Sequence, residues 1–246
     1  MLDRRRFLFG TFAALLTPRA TAASPLPDTA DIDQLGKFER VLGRPGLVIG
    51  VPHGTADVGT LDAGRVLCER LGAGGVFVTG FWDPKTRQRI NVNRDSEELI
   101  GQDSEVLKHW RSDRAIAANL RYIALVQEAS QGPLKAFFEI HSNHKTRYVD
   151  SVEVSTRGVW RGEAEKLKEA FEAVRDRLAP GLPRLSIHVS PADKVTFPNY
   201  DAASSIAKLS AKGCAIENPG RVFGHRPWRL AYAACLADAI KDAQWA

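Results

Sequence analysis

Apolar positions along the chain follow two periods. Residues 46–52 read Gly-Leu-Val-Ile-Gly-Val-Pro, a short apolar run closed by proline, which predicts a buried strand. Residues 75–79, 134–140, 185–189 and 213–216 are runs of the same kind, and residues 150–155 alternate as a further strand. Residues 89–92 add a shorter strand, which could pair with 75–79 as a hairpin. Helical spacing fills the intervals. Residues 61–71 and 113–128 show it, the latter through Ile116, Leu120 and Ile123. Residues 163–178 carry Leu167, Phe171, Val174 and Leu178 on one stripe; a short helix is expected around Ile206 and a last one over 227–239. This alternation predicts an α/β protein with three layers, α/β/α, around a mixed, mostly parallel central sheet.

The first 22 residues break the pattern. Arg4, Arg5 and Arg6 precede Phe7 and Leu8, an apolar run reaches Leu16, and Ala20-Thr21-Ala22 ends the segment. A basic start, a short apolar core and a small-x-small site make a secretory signal. The Arg-Arg-x-Phe-Leu core resembles a twin-arginine export signal, which implies a periplasmic or secreted protein. Such signals carry folded proteins, so a metal could be loaded before export. Residues 23–35 then read as a linker, and residues 36–246 as a single domain. No other stretch approaches the length of a membrane helix, so no stable membrane insertion is expected after cleavage.

Charge changes meaning once that segment is set apart. The 246 residues have a net charge of +5, with 44% hydrophobic and 26% charged residues. Removing residues 1–22 takes away Arg4, Arg5, Arg6, Arg19 and Asp3 and leaves +2. No basic run interleaved with aromatics remains, so nucleic acid is not an expected partner. Cys68, Cys214 and Cys235 are far apart without C-x-x-C spacing and are expected as small buried apolar residues.

Ligands of open α/β sheets bind beyond the carboxyl ends of the strands. Three reactive side chains sit at such ends: His53 after residues 48–52, His141 after 137–140 and Glu217 after 214–216. Two histidines and a carboxylate on separate strands suggest a zinc site, which takes three protein ligands and leaves one position open. The third ligand should be a carboxylate near one histidine: Asp57, with Asp62 as the alternative. Glu217 is then the candidate to move the proton of an attacking water. Arg87, Arg89, Asn91 and Asn93 alternate and would share one face of a strand. They suit a carboxylate or a developing oxyanion, or equally an ordinary solvated hairpin.

Together these blocks resemble the N-formylglutamate amidohydrolase family, within the zinc-dependent carboxypeptidase-like and aspartoacylase-like hydrolases. The resemblance rests on Val51-Pro52-His53-Gly54, on residues 87–94, on Ile140-His141-Ser142 and on Ala215-Ile216-Glu217, in that order. It implies His53, Asp57 and His141 as zinc ligands and Glu217 as general base and acid. It implies that Arg87 polarises the scissile carbonyl and that Asn93 and Arg94, with Arg89 beside them, hold a substrate carboxylate. The chain departs from the pattern twice. Asn91 stands where the family has Asp, and Ala56 stands where the related carboxypeptidases have their third ligand.

The resulting expectation is an exported zinc hydrolase that cleaves an amide beside a carboxylate. The departures keep open a metal-free binding protein on a degenerate hydrolase fold, and the arginines keep open an anionic polymer. His144 could be an extra ligand or a loop histidine. Lys194, Asn199 and Tyr200 lie in a Pro-bounded loop that could line the cleft, and Arg221 could reach an anionic substrate.

Overall fold

A computed structural model describes residues 32–101, 105–143, 150–196, 206 and 208–246. In chain order the elements are α1 (Ile32–Leu35), β1 (Gly36–Val41), β2 (Arg44–Val51), α2 (Thr60–Leu71), β3 (Ala73–Gly80), β4 (Trp82–Asp83) and β5 (Gln88–Asn91). Then come β6 (Ser96–Ile100), β7 (Val106–Trp110), α3 (Asp113–Ser130), β8 (Ala136–Asn143), β9 (Ser151–Arg157) and α4 (Arg161–Leu178). The chain ends with β10 (Ser186–Val189), β11 (Lys212–Pro219), α5 (Gly220–Gly224) and α6 (Arg226–Asp242).

The apolar runs become the strands of a seven-stranded sheet ordered β1-β3-β2-β8-β11-β9-β10. The pairs β2/β3, β2/β8, β8/β11 and β9/β10 are parallel; β1/β3 and β9/β11 are antiparallel. Continuous apolar runs suit this sheet because both of its faces are covered. Along β2, Val48 faces one core and Ile49 the other. The Ile49 core is closed by α2, α4 and α6, with α2 and α4 each packed against α6, and the Val48 core by α3. The chain is therefore α/β with three layers, as its periodicity predicts. Among the described residues, no helix is long and apolar enough to cross a membrane.

Residues 89–92 do not pair with β3. Both edges of β3 are already taken, by β1 and β2. Gly80 and Phe81, at φ 79° and 58°, turn the chain out of the sheet. β4, β5, β6 and β7 instead form a separate antiparallel sheet that meets α3 through β5 and β6. The strand β1 has no apolar run to announce it; its charged Lys37, Glu39 and Arg40 suit an edge, where they discourage pairing with another chain. Ile32–Leu35, at the end of the expected linker, forms one helical turn with Ile32 buried. Residues 1–22, with the rest of the linker to residue 31, lie outside the described residues, as do His144, Asn199 and Tyr200. Ile206 is in a turn, and the residues on either side of it also lie outside. Cys68, Cys214 and Cys235 are buried and form no disulfide.

Phe171 on α4 is wholly buried and meets the Tyr232 ring edge-on at 5.3 Å, joining α4 to α6. Phe171→Ala should lower stability by about 3–5 kcal/mol, read from urea unfolding midpoints. A loss below about 1 kcal/mol would contradict close packing of this layer.

Candidate metal centre

Strand register brings two of the reactive residues together. β8 and β11 are parallel neighbours in which His141 is the partner of Glu217, so both side chains leave the same face at the same height. The two-residue period of β8 puts Glu139 on that face as well. At the end of β2, Pro52 has no N–H to donate and the chain leaves the sheet. In the turn that follows, the Asp57 N–H donates to the His53 carbonyl at 2.7 Å and brings the Asp57 carboxylate back towards the His53 ring. This turn needs glycine at 54: a Cβ there would lie 2.5 Å from Leu61 Cδ2 and 2.7 Å from the Val78 carbonyl. The hydroxyls of Thr60 and Ser142 donate to the carbonyls of Asp57 and Val58 and pin the loop.

The result is a convergence of donor atoms. Asp57 Oδ2 lies 3.5 Å from His53 Nδ1 and 3.3 Å from His141 Nδ1, and accepts from the Ser142 N–H at 3.4 Å. Among the described residues, His53, Asp57 and His141 each offer a ligand atom within 4.8 Å of the others, and all three are buried. The outer nitrogens face acceptors: His53 Nε2 is 3.0 Å from Asn91 Oδ1, and His141 Nε2 is 3.2 Å from Glu139 Oε2. Imidazoles held in this way through one nitrogen present the other to a metal. Two imidazole nitrogens and one carboxylate oxygen form a donor set of the zinc type.

Glu139 has no signal of its own in the sequence, where it reads as one residue of an apolar strand. It is 1% exposed and also accepts from Asn93 Nδ2 at 2.9 Å and from the Tyr122 hydroxyl at 3.3 Å. The only available hint is its position two residues before His141, on the same strand face.

The buried charges settle one another. Burial alone would raise the Asp57 carboxyl, but its neighbours, the His141 imidazole first among them, outweigh that and hold it below the usual carboxylate range. Burial would lower His141, but Asp57 and Glu139 push it up to about 10. Burial lowers His53, and the charge of Arg89 adds to that. Glu139 and Glu98 are pushed up by burial yet held low overall, chiefly by His141 for Glu139 and by Arg89 for Glu98.

These groups open onto a cleft of about 500 Å³. Glu217, 8% exposed, lines it, as do Arg87, Arg89, Asn93 and Arg94. One wall is a face of the small sheet, where the expected alternation holds for Arg89 and Asn91 on β5; Arg87 sits in the turn before the strand and Asn93 in the turn beyond it, and both still line the cleft. Arg87, at φ 57°, donates through Nε to the Ile100 carbonyl at 2.7 Å and through Nη2 to the Gly101 carbonyl. Arg89 grips Glu98 Oε2 at 2.6 and 3.1 Å. Asn93 turns its amide nitrogen to Glu139, and its buried Oδ1 has no hydrogen-bond partner among the described residues. Trp82 also lines the cleft. Arg221 pairs instead with Asp150 at 3.2 Å.

Asp62 is not at the cluster. It stands on α2 and pairs with Arg229 at 2.5 Å and Arg226 at 3.6 Å, tying α2 to α6. With its carboxylate engaged by two arginines, Asp62 gives way to Asp57 as the third donor.

No protein-family model matches the chain, and no curated protein matches it. Solved structures do. A bacteriophage poly-gamma-glutamate hydrolase is 13% identical, with a TM-score of 0.51 over 86% of this chain and 90% of that one. A gene product of Agrobacterium tumefaciens is 12% identical, with a TM-score of 0.50 over 85% of this chain and 94% of that one. The likeness is one of fold, and it covers most of both partners.

Asp57→Asn should abolish stoichiometric zinc in elemental analysis, whereas Asp62→Asn should keep the zinc and lose about 1–3 kcal/mol of stability. Equal zinc in both variants would remove Asp57 from the ligand set. Below about pH 10 the metal-free His141 is a cation. A bound cation must displace that proton, so zinc affinity should rise about tenfold per pH unit through neutrality. Titration in buffers of different ionisation enthalpy would show the released proton; no release would contradict His141 as a ligand.

Proposed function

We propose that the protein is an exported zinc hydrolase that cleaves an amide bond beside a carboxylate, in the manner of N-formylglutamate amidohydrolases. The observation that carries this reading is the convergence of His53, Asp57 and His141 with Glu217 on the same cavity. Zinc, when bound, acidifies water and polarises a carbonyl. His53, Asp57 and His141 would hold it. Glu217, beside His141 in register, takes a proton from the attacking water and returns it to the departing nitrogen. Arg87, fixed by two carbonyls at the cleft wall, supplies positive charge where the carbonyl oxygen becomes anionic. Arg94, Arg89 and Asn93, which line the same cleft, would receive the substrate carboxylate.

The cleft of about 500 Å³ is larger than one formylated amino acid needs, so N-acyl amino acids, peptides and cell-wall fragments are the substrates to try first. The bacteriophage neighbour acts on poly-gamma-glutamate, in which every amide has a carboxylate close by. The twin-arginine-type segment at residues 1–22 supports export, where such polymers are met.

The test is one substitution with two readouts. Glu217→Gln should retain about one zinc per chain and lose about 10²–10⁴-fold in turnover against a panel of N-formylglutamate, γ-glutamyl oligomers and muropeptides. Turnover at the wild-type rate would refute the mechanism. A wild-type protein free of metal and inactive on the whole panel would favour a binding protein on a degenerate fold.

A further inference from the structure

The small sheet touches the cluster through one line of side chains. Glu98 is 4% exposed, and Arg89 occupies its Oε2 with two hydrogen bonds. Its Oε1 accepts from Asn91 Nδ2 at 2.8 Å. An ionised carboxylate can only accept, so the chemistry of Glu98 decides which end of the Asn91 amide faces it. The nitrogen end must. The oxygen end is then left for His53, whose Nε2 lies 3.0 Å away. An amide oxygen also only accepts, so the ring hydrogen of neutral His53 belongs on Nε2. The inner Nδ1 keeps its lone pair. The line closes on itself, because Arg89 Nη1 reaches to 4.0 Å from Asp57 Oδ1.

From this geometry we infer that Asn91 and Glu98 are a matched pair of positioning residues that lock His53 in its Nε2–H form. The donor atom of one ligand is thus chosen by the small sheet. The inference rests on the proposed role of His53 as a metal ligand. The charge behind His53 stands on Glu98, with Asn91 between it and the ring, and is shared with Arg89. A carboxylate at position 91 would set two anionic oxygens against each other across the 2.8 Å contact. The replacement therefore works only together with a change at 98. In the double variant Asn91→Asp with Glu98→Gln, the amide nitrogen at 98 donates to the carboxylate at 91. That carboxylate still accepts from His53, and the amide oxygen at 98 still accepts from Arg89. One hydrogen bond reverses its direction and every group keeps a partner.

Two measurements on the full chain test the pair. Long-range ¹H–¹⁵N spectra of the metal-free, histidine-labelled protein should show neutral His53 as Nε2–H. Zinc affinity, from competition with a chromophoric chelator, should fall about 10–100-fold in Asn91→Asp. In the double variant it should return to within about threefold of wild type, far from the sum of the single effects. Glu98→Gln alone should weaken zinc and leave His53 in mixed tautomers. A wild-type Nδ1–H tautomer overturns the inference, and so does a double variant as weak as Asn91→Asp. If zinc binds none of these proteins, the metal reading falls and the wild-type tautomer still decides the pair. Should a variant fail to fold by circular dichroism, that same wild-type spectrum decides.

Discussion

A single carboxylate, Asp57, must be kept charged where almost no water reaches it. Burying an ion without a partner is prohibitive, so its neighbours have to be supplied by the fold. The His141 imidazole, its pKa raised, and the Ser142 N–H supply them, with Arg89 Nη1 4.0 Å from the other oxygen. They come from two elements, His141 and Ser142 from β8 and Arg89 from β5. The turn after β2 closes only because glycine at 54 lets the chain pass close to Val78. The loop is tied down by Thr60 and Ser142, and α2 is tied to α6 through Asp62 and Arg229. A metal placed among these groups would inherit an arrangement already held from several sides.

The same constraint spreads outward. Glu139 and Glu98 are further buried anions, and each is stabilised by a group that also bears on the cluster. Glu139 joins His141 to Asn93 and to Tyr122 on α3; Glu98 joins Asn91 to Arg89. Such networks favour one arrangement because a lost partner leaves a buried charge behind. They also explain why the arginines of the cleft wall are not free hooks. Arg87 is fastened by backbone carbonyls and Arg89 by Glu98, so the fold itself fixes where their charges lie. Preorganised charge of this kind favours an oxyanion at no further reorganisation cost.

Much of this is legible along the chain. Short apolar runs closed by Pro52, by His141 and by Glu217 stop within two residues of the carboxyl ends of β2, β8 and β11, where α/β proteins place their chemistry; β8 and β11 run on to Asn143 and Pro219. His53, His141 and Glu217 stand out for that reason. The third donor is less legible, since Asp57 and Asp62 are both near His53 in sequence. Spacing cannot show that Arg226 and Arg229, more than 160 residues later, take up Asp62. Glu139 carries no visible mark, because its partners come from α3 and from the turn after β5. The expected pairing of 89–92 with β3 fails for a similar reason: a strand's own pattern does not say that its neighbour's edges are already occupied.

Periodicity is written in the linear chain: which segments bury one face or two, where strands end to within two residues, and which reactive side chains stand near those ends. These are local properties, set by backbone geometry and the hydrophobic effect. Partnership comes from packing. It brings Asp57 and not Asp62 to the two histidines, sets Glu139 behind His141, and puts Asn91 and Glu98 behind His53. A buried charge takes its meaning from the groups within a few ångströms of it, and those groups come from elements that lie far apart along the chain.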